Sequence, residues 1–289
     1  MPSKKIAVVS GATSGIGFVT ALELAKAGMR VIGMGRDQAR IAEKDAEIKR
    51  AVPRAQIEWV MADFASLSQV KRAADDIAAR IERIDILVNN AGLHLDRRSV
   101  TEDGFEATFQ VNHLASFVLT LRLLPLLKRS SRAHVIAVSS IGHTMIDDMC
   151  WDDLQMEKDF SAFKAYCQSK LANVLFTREL ARRYEADGVI ASAVHPGMVA
   201  SRFPLTAGEH TVAYYRAAEA SGEALTEEQG ADTVVWLAQH PDAALPSGGY
   251  FTERKRVDTS AAGANSHSPA RLWDISEQLA RNYLQSIPA

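Results

Sequence analysis

The chain has 289 residues, 47% of them hydrophobic and 24% charged, with a formal net charge of −2 at pH 7. This composition predicts an ordinary globular protein, and near-balanced charge without a block of like charges argues against a nucleic-acid or membrane-surface partner. The only cysteines, Cys150 and Cys167, and the lack of a histidine cluster at metal-ligand spacing predict neither a disulfide framework nor a metal site, and they fit a reducing cytoplasm.

Short β-branched runs alternate with longer amphipathic segments along the first two thirds of the chain. The runs that predict strands are Ile6 to Ser10, Arg30 to Met34, Ile57 to Met61, Ile86 to Asn89, His134 to Ser139 and Val189 to His195. The segments that predict helices are Gly15 to Ala27, Gln38 to Ala51, Leu67 to Arg83, Gly104 to Lys128 and Ser161 to Ala186. This alternation predicts an α/β fold: a doubly wound, Rossmann-type parallel sheet of about seven strands with helices on both faces.

Beyond His195 the pattern is looser, and residues 200–225 predict an irregular lobe that covers the substrate. The later elements are predicted as a helix at Thr226 to Gln239, a strand at Gly249 to Thr252 and a helix at Arg271 to Leu284. We find no internal repeat or linker, so residues 1–289 are predicted to form a single domain.

The most apolar stretch, Leu114 to Leu127, contains Arg122 and Pro125 and is too short for a membrane span, so it predicts a buried helix. The first residues run directly into a strand without the apolar region of a signal peptide. We therefore expect a cytoplasmic protein without a membrane anchor.

A glycine cluster, Ser10-Gly11-Ala12-Thr13-Ser14-Gly15-Ile16-Gly17, follows the first predicted strand and opens a helix. Glycines permit a tight turn and close approach of the backbone, while the unpaired N–H groups that begin a helix suit a diphosphate. Its place inside a βαβ unit favours dinucleotide binding over a plain strand-to-helix turn. The three residues between the first two glycines depart from the GxGxxG spacing.

The second predicted strand ends in Met34-Gly35-Arg36-Asp37, where the ribose of a dinucleotide would be recognised. Gly35 leaves space and the Arg36 guanidinium suits a 2′-phosphate, so NADP is favoured, with NAD as the alternative. The competing interpretation is a solvated Arg36 beside an Asp37 that caps the next helix. Asp63, after the third strand, either hydrogen-bonds the adenine amine or caps a helix.

Tyr166 and Lys170 lie four residues apart in a strongly helical stretch, so they share one face of the helix. An unperturbed tyrosine has a pKa of about 10, and a nearby ammonium lowers that pKa toward working pH. The pair therefore suits a general acid/base for an alcohol or carbonyl oxygen. On an ordinary helix the same spacing gives a half-packed tyrosine and a solvated lysine, so further motifs decide.

Six short motifs occur together and in a fixed order along the chain. They are Gly11 to Gly17, Asn89-Asn90-Ala91-Gly92, Asn112, Ser139-Ser140, Tyr166-x-x-x-Lys170 and Pro196-Gly197. This set resembles the short-chain dehydrogenase/reductase family over essentially the whole chain. The segments most similar to the retinol dehydrogenase-like branch of this family are Phe109 to Leu114, Ala165 to Asn173, Val194 to Gly197 and Gly249 to Phe251.

The resemblance implies four catalytic residues. Tyr166 would be the acid/base, and Lys170 would lower its pKa and hold the nicotinamide ribose. Ser140 would hydrogen-bond the substrate oxygen, and we prefer it to Ser139 because the family's active serine is commonly the second of such a pair. Asn112 would hold a water that connects Lys170 to solvent.

The resemblance also implies a set of cofactor-binding residues, mostly in the loops that follow the strands. They are Gly11, Thr13, Ser14, Gly15, Ile16, Gly17, Arg36, Asp63, Phe64, Asn90, Ala91, Gly92, Tyr166, Lys170, Pro196, Gly197, Val199 and Ser201. Ser201 would bind the nicotinamide carboxamide, where the family often has threonine. His113, His195 and Cys167 are expected to pack rather than react.

Together these features predict an NADP-preferring oxidoreductase that interconverts a ketone or aldehyde and its alcohol. The expected small-molecule substrate is bulky and apolar, because several large apolar residues are expected near the pocket mouth. They are Trp151, Phe160, Phe163, Met198, Phe203, Tyr214 and Tyr215. The alternative is that these residues belong to the core. The alternatives are a reductase of an activated carbon–carbon double bond and a non-catalytic dinucleotide-sensing binding protein. A homo-oligomer is left open.

Overall fold

The computed structural model of the chain describes residues 4–200, 209–240 and 247–285. Its strands are β1 (Ile6–Val9), β2 (Arg30–Gly35), β3 (Gln56–Met61), β4 (Ile86–Asn89), β5 (Ala133–Val138), β6 (Val189–Val194), β7 (Gly249–Thr252) and β8 (Lys255–Val257). They form one sheet in the order β3-β2-β1-β4-β5-β6-β7-β8, parallel except for the β7–β8 pair. The strand order reverses direction between β1 and β4, which opens a crevice at the carboxyl ends of those strands.

Helices cover both faces of this sheet. They are α1 (Gly15–Lys26), α2 (Gln38–Ala51), α3 (Leu67–Arg80), α4 (Ala107–Phe109), α5 (Ala115–Leu127), α6 (Ala162–Tyr184), α7 (Glu209–Ser221), α8 (Glu227–Gln239), α9 (Ala261–Ala264) and α10 (Ser268–Leu284). Because side chains alternate along a strand, Ile6 and Val8 share a core with α3, α5, α6 and α10, whereas Ala7 and Val9 share one with α1 and α8. The predicted doubly wound α/β sheet is thus confirmed.

The eighth strand was not predicted from the sequence. Strand β8 is exposed along its whole length and follows a two-residue turn at Glu253 and Arg254, which have φ angles of 49° and 58°. Such turns usually contain glycine or asparagine, so a Glu-Arg pair gives no hairpin signal. With no alternation of apolar and polar residues in β8, the sequence offered nothing else to detect it.

The segment predicted as an irregular lobe contains the helix α7. Residues 201–208 lie outside the described part of the chain, and with them the predicted Ser201 and Phe203. Nothing is described of the side chains of Tyr214 and Tyr215 either. The predicted covering of the substrate by this lobe therefore stays a prediction.

The predicted helix Gly104 to Lys128 begins instead at Ala107 and includes a π-helical turn at Gln110–Leu114. By length and composition Ala107–Leu127 could cross a membrane, but 89% of its most apolar window is buried within the fold. It is a core helix, as the interrupted apolar run predicted. Single π-helical turns inside α-helices are frequent at functional sites, and this one contains Asn112.

Candidate active site

A cavity of about 810 Å³ opens along the carboxyl edge of the sheet. Ser140 lines it, together with most of the predicted cofactor-binding residues: Gly11, Thr13, Ser14, Gly15, Ile16, Arg36, Asp63, Phe64, Asn90, Ala91, Gly92, Tyr166, Lys170, Pro196, Gly197 and Val199. The cavity lining does not include Gly17 or Asn112. The structure thus brings together side chains that are up to 188 positions apart in the sequence, between Gly11 and Val199.

The glycine cluster forms a cradle in which side chains would not fit. Gly11 has a φ of +65°, and a Cβ on Gly17 would lie 2.3 Å from the Gly11 carbonyl oxygen and 2.4 Å from Nδ2 of Asn90. Gly17 therefore lets α1 pack closely against the loop, and its predicted contact with the cofactor stays a prediction. Ser14, at the start of α1, makes no side-chain cap hydrogen bond. The loop consequently presents backbone N–H groups to the cavity, as a bound dinucleotide diphosphate requires.

Asn90 and Ser10 fix this cradle to the loop after β4. The Asn90 Nδ2 atom donates to the carbonyl oxygens of Ser10 and Gly11, at 2.9 and 3.3 Å. In return, the Ser10 hydroxyl accepts from the backbone N–H groups of Asn90 and Ala91, at 2.9 and 3.0 Å. These bonds make the two cofactor-facing loops one unit.

At the end of β2 the structure separates the two roles proposed for Arg36 and Asp37. The Asp37 Oδ1 atom caps α2 by accepting from the N–H groups of Ala39 and Arg40, at 2.9 and 3.1 Å. Arg36 is 67% exposed in its side chain, and its Nη1 atom lies 4.0 Å from Oδ1 of Asp63. Asp37 is therefore a helix cap, whereas Arg36 keeps a cation at the cavity.

Tyr166 and Lys170 face the other end of the cavity from α6. Lys170 is only 4% exposed, its Nζ atom donates to the Val138 carbonyl oxygen at 3.1 Å, and it lies 5.6 Å from the centroid of the Tyr166 ring. Burial lowers the pKa of Lys170 from 10.5 to about 8. The lysine is therefore not the solvated side chain that an ordinary helix would give.

Ser140 lies two residues after β5 and caps a short 3-10 turn, where its Oγ atom accepts from the Gly142 N–H at 3.1 Å. A Cβ on Gly142 would lie 3.3 Å from Cε1 of Tyr166 and 3.5 Å from the Ser140 Oγ, so both groups border the same small space. The Ser139 hydroxyl instead donates to the Lys170 carbonyl oxygen at 2.8 Å. This geometry favours Ser140 over Ser139 as the residue that meets a substrate.

The Asn112 side chain is engaged on both of its polar atoms. Its Oδ1 accepts from the Leu93 N–H at 2.7 Å, and its Nδ2 donates to the Leu93 carbonyl and to the Ser169 hydroxyl, both at 2.9 Å. The Ser169 hydroxyl in turn donates to the Tyr166 carbonyl at 2.7 Å. Asn112 thus joins the loop after β4 to α6, and its water-holding role stays a prediction.

The family model described as short chain dehydrogenase matches residues 5–211, more than half of the chain. The chain belongs to the short-chain dehydrogenase/reductase family. Retinol dehydrogenase 12 of Mus musculus is 38% identical over 275 residues, 95% of this chain and 86% of that protein. A Streptomyces sp. (strain C5) protein, provisionally named daunorubicin C-13 ketoreductase, is 39% identical over 96% of this chain and 92% of its own length. This member is a retinol dehydrogenase-like, NAD(P)-dependent oxidoreductase.

Several solved structures share the fold of this chain. A protein from Mycobacterium paratuberculosis matches with a TM-score of 0.76 at 32% identity, over 96% of this chain and 94% of its own. The Pseudomonas aeruginosa RhlG/NADP active-site complex matches with a TM-score of 0.69 at 26% identity, over 86% of this chain and 94% of its own. The predicted family and fold are therefore both confirmed.

Sequence reasoning missed two residues of this short-chain dehydrogenase. Arg40, in the first turn of α2, lines the cavity with Arg36, and a second arginine just after the end of β2 was a readable signal. His94 stacks on the Tyr166 ring, with ring centroids 4.8 Å apart and an angle of 19° between the planes. No sequence signal joined His94 to Tyr166, because the contact depends on how a loop packs against α6.

The other candidate reactive side chains are packed, as expected. His113 is buried against the Ser276 hydroxyl, and burial lowers its pKa to about 3. Burial also lowers the pKa of His195 to about 4, and its Nδ1 atom accepts from the Ile141 N–H at 3.2 Å. For Cys167, burial raises the thiol pKa to about 12, which makes a reactive thiolate unfavourable.

Proposed function

We propose that this chain is an NADP-preferring oxidoreductase that interconverts a ketone or aldehyde and its alcohol on a fairly bulky, apolar substrate. The observation that carries the proposal is one cavity with a Tyr166–Ser140–Lys170 cluster near β5 and two arginines, Arg36 and Arg40, near β2. Two strands separate these ends in the sheet, which corresponds to about 14 Å and suits an extended dinucleotide.

The proposed chemistry divides between cofactor and protein. A bound nicotinamide cofactor would supply the hydride to the carbonyl carbon, and the protein supplies position, charge and a proton. The Ser140 hydroxyl holds the carbonyl oxygen beside the Tyr166 phenol, which gives its proton to that oxygen on reduction and removes it on oxidation. The Lys170 ammonium favours the phenolate that remains.

Exposed apolar side chains around the cluster support an apolar substrate. Ile141 and Met145 flank the turn after the proposed substrate-binding serine, and Phe163 lies one helical turn before the proposed acid/base; all three are large and exposed. Trp151 supports it less, because it packs beneath the guanidinium of Arg271, 4.3 Å from that group. The residues proposed here for the substrate-facing rim therefore differ in part from those predicted from the sequence.

A panel of ketones and aldehydes graded in apolar size tests the substrate class. With NADPH, kcat/KM should rise by roughly fourfold for each methylene that becomes buried, until the cavity is filled. Steady-state assays across a homologous aldehyde series give this slope directly. A preference for small, polar carbonyls, or a flat series, would contradict the apolar assignment.

The cofactor preference is expected to depend on Arg36. NADP should bind about tenfold more tightly than NAD, the lower end of the 1.5 to 3 kcal/mol of a charge-assisted bond, because Arg36 is largely exposed. Arg36→Ala should lower NADP affinity toward that of NAD, and Arg36→Asp should reverse the preference. The wild-type margin should shrink as salt rises. Fluorescence titration with both cofactors measures the wild-type preference, its salt dependence and the preferences of the two variants.

The structure decides where a carboxylate can be introduced for this test. A Cβ on Gly35 would lie 2.5 Å from Cγ2 of Thr13, so an aspartate there would disturb the cradle itself. Position 36 avoids that clash. Arg97→Ala, which removes an exposed arginine that does not line the cavity, is the matched control and should leave both affinities unchanged. Equal wild-type affinities, or an unaltered ratio in Arg36→Asp, would remove the role of Arg36.

A further inference from the structure

We propose that His94 is a positioning residue that braces the Tyr166 phenol by stacking against its ring. The inference rests on the proposed function, because it assigns a partner to the same acid/base. His94 lies in the loop after β4 and is only 6% exposed. Its two neighbours, Leu93 and Leu95, line the cavity, whereas His94 does not. The imidazole therefore supports the tyrosine from outside the space that a substrate would enter.

The contact between the two rings is close and nearly parallel. Their centroids are 4.8 Å apart and their planes are inclined by 19°. This distance lies within the range for stacked aromatic pairs, which stabilise each other beyond the effect of their buried area. A tyrosine ring supported in this way loses the freedom to tilt toward the side that His94 occupies.

The loop that carries His94 is itself held in place. The preceding residue, Leu93, has both its N–H and its carbonyl bonded to the Asn112 side chain, at 2.7 and 2.9 Å. The Asn112 Nδ2 atom also donates to the Ser169 hydroxyl on α6, at 2.9 Å. The loop after β4 is thereby tied to the helix that carries Tyr166, and a rigid support is what a brace requires.

The role of His94 is one of shape rather than charge. Burial lowers the pKa of its imidazole, against the opposing effects of the Ala162 backbone and the Asp96 carboxylate, so the ring is neutral near pH 7. The cation facing Tyr166 is Lys170. Because proton transfer depends steeply on the position of the reacting oxygen, a ring that can tilt is expected to slow the reaction without altering cofactor binding.

Three substitutions separate the aromatic ring of His94 from its polar nitrogens. His94→Ala removes both, His94→Phe keeps an aromatic ring without the nitrogens, and His94→Gln keeps polar hydrogen-bonding capacity without the ring. With NADPH and a carbonyl substrate turned over by the wild type, His94→Ala should lower kcat at least tenfold, with the NADPH dissociation constant within twofold. His94→Phe should recover to within threefold of wild type, and His94→Gln should resemble alanine.

Two further readouts distinguish positioning from a general loss of structure. In His94→Ala the solvent deuterium isotope effect on kcat should increase, because proton transfer from a misplaced phenol becomes the slower step. The count of NADPH bound per molecule corrects for any unfolded fraction. His240→Ala is the matched control: it removes a histidine ring that is also 4.8 Å from an aromatic ring, that of Trp236, which unlike Tyr166 does not line the cavity. Its kcat should be unchanged.

Wild-type kcat in His94→Ala would overturn the inference, as would a glutamine variant more active than the phenylalanine variant. If the alanine variant binds no NADPH, the kcat values of the other two variants decide: a more active phenylalanine variant supports the brace, and a more active glutamine variant rejects it. Tyr166→Phe separates this test from the proposed function. An inactive Tyr166→Phe beside a fully active His94→Ala rejects only the brace, whereas an active Tyr166→Phe rejects the acid/base that the brace would support.

Discussion

Tyr166→Phe should lower kcat for carbonyl reduction by at least ~10²-fold, because it removes the general acid/base while keeping the volume of the ring. Phenylalanine preserves the stack on His94 and leaves the Tyr166 backbone carbonyl in place to accept from the Ser169 hydroxyl. The fold and the affinity for NADPH should therefore be unchanged. Steady-state kinetics, fluorescence titration of NADPH and a thermal melt measure the three quantities separately.

Tyr184→Phe provides the matched control for this result. Tyr184 lies on the same helix and also has a lysine over its ring, with Lys128 Nζ 4.8 Å from the centroid. It does not line the cavity, so losing its hydroxyl should leave turnover unaffected. Wild-type turnover in Tyr166→Phe would reopen the reduction of an activated carbon–carbon double bond as the chemistry. A wild type that binds NADPH but reduces nothing would instead favour a dinucleotide sensor.

Most of the sheet was predictable because most of its first six strands are short, largely buried runs that alternate with helices. Strand β5, for example, is buried at all six positions, as expected of a parallel strand covered on both faces. The exposed strand β8 has no such pattern, and its Glu-Arg turn lacks the usual hairpin residues. Helix α7 has a weak apolar face, so its sequence was interpreted as irregular.

The candidate site was predictable at positions where the backbone geometry or a required charge permits only one type of residue. Gly11 and Gly17 are required by contacts too close for a side chain, and Lys170 is required by its place under Tyr166. His94 was missed because its partner lies 72 positions away, and the contact arises only when the loop after β4 packs against α6. Packing between distant segments leaves no local spacing to detect in a single sequence.

Lys170→Met should lower both turnover and cofactor affinity, because the ammonium serves two proposed roles at once. Loss of a charged hydrogen bond to the nicotinamide ribose, about 1.5 to 3 kcal/mol, corresponds to at least tenfold in the NADPH dissociation constant. Turnover should fall by a further tenfold or more, since the phenolate loses its neighbouring cation. Lys164→Met, the same change at an exposed position of α6, should alter neither quantity.

Lys170→Met is expected to be no less stable than the wild type, so a loss of activity in this variant would not be caused by unfolding. The Lys170 pKa is lowered from 10.5 to about 8 on folding, so the buried ammonium costs about 3 kcal/mol at any pH below 8. Between pH 8 and 10.5 the unfolded chain binds more protons than the folded one, and this penalty disappears as pH rises. A methionine side chain in place of the lysine carries no such penalty, so Lys170→Met should gain stability over wild type at pH 7 and lose that advantage by pH 10.5.

Urea unfolding of both proteins at several pH values between 7 and 10.5 measures this difference. Cys167 has a pKa that burial raises, so its titration opposes the lysine effect over the same range. Its contribution is common to both proteins and cancels in the comparison, which is why the difference and not the wild-type curve is decisive. A difference that does not change with pH would mean that the Lys170 ammonium is not buried against Val138. Unchanged NADPH affinity in the variant would separately contradict the ribose contact.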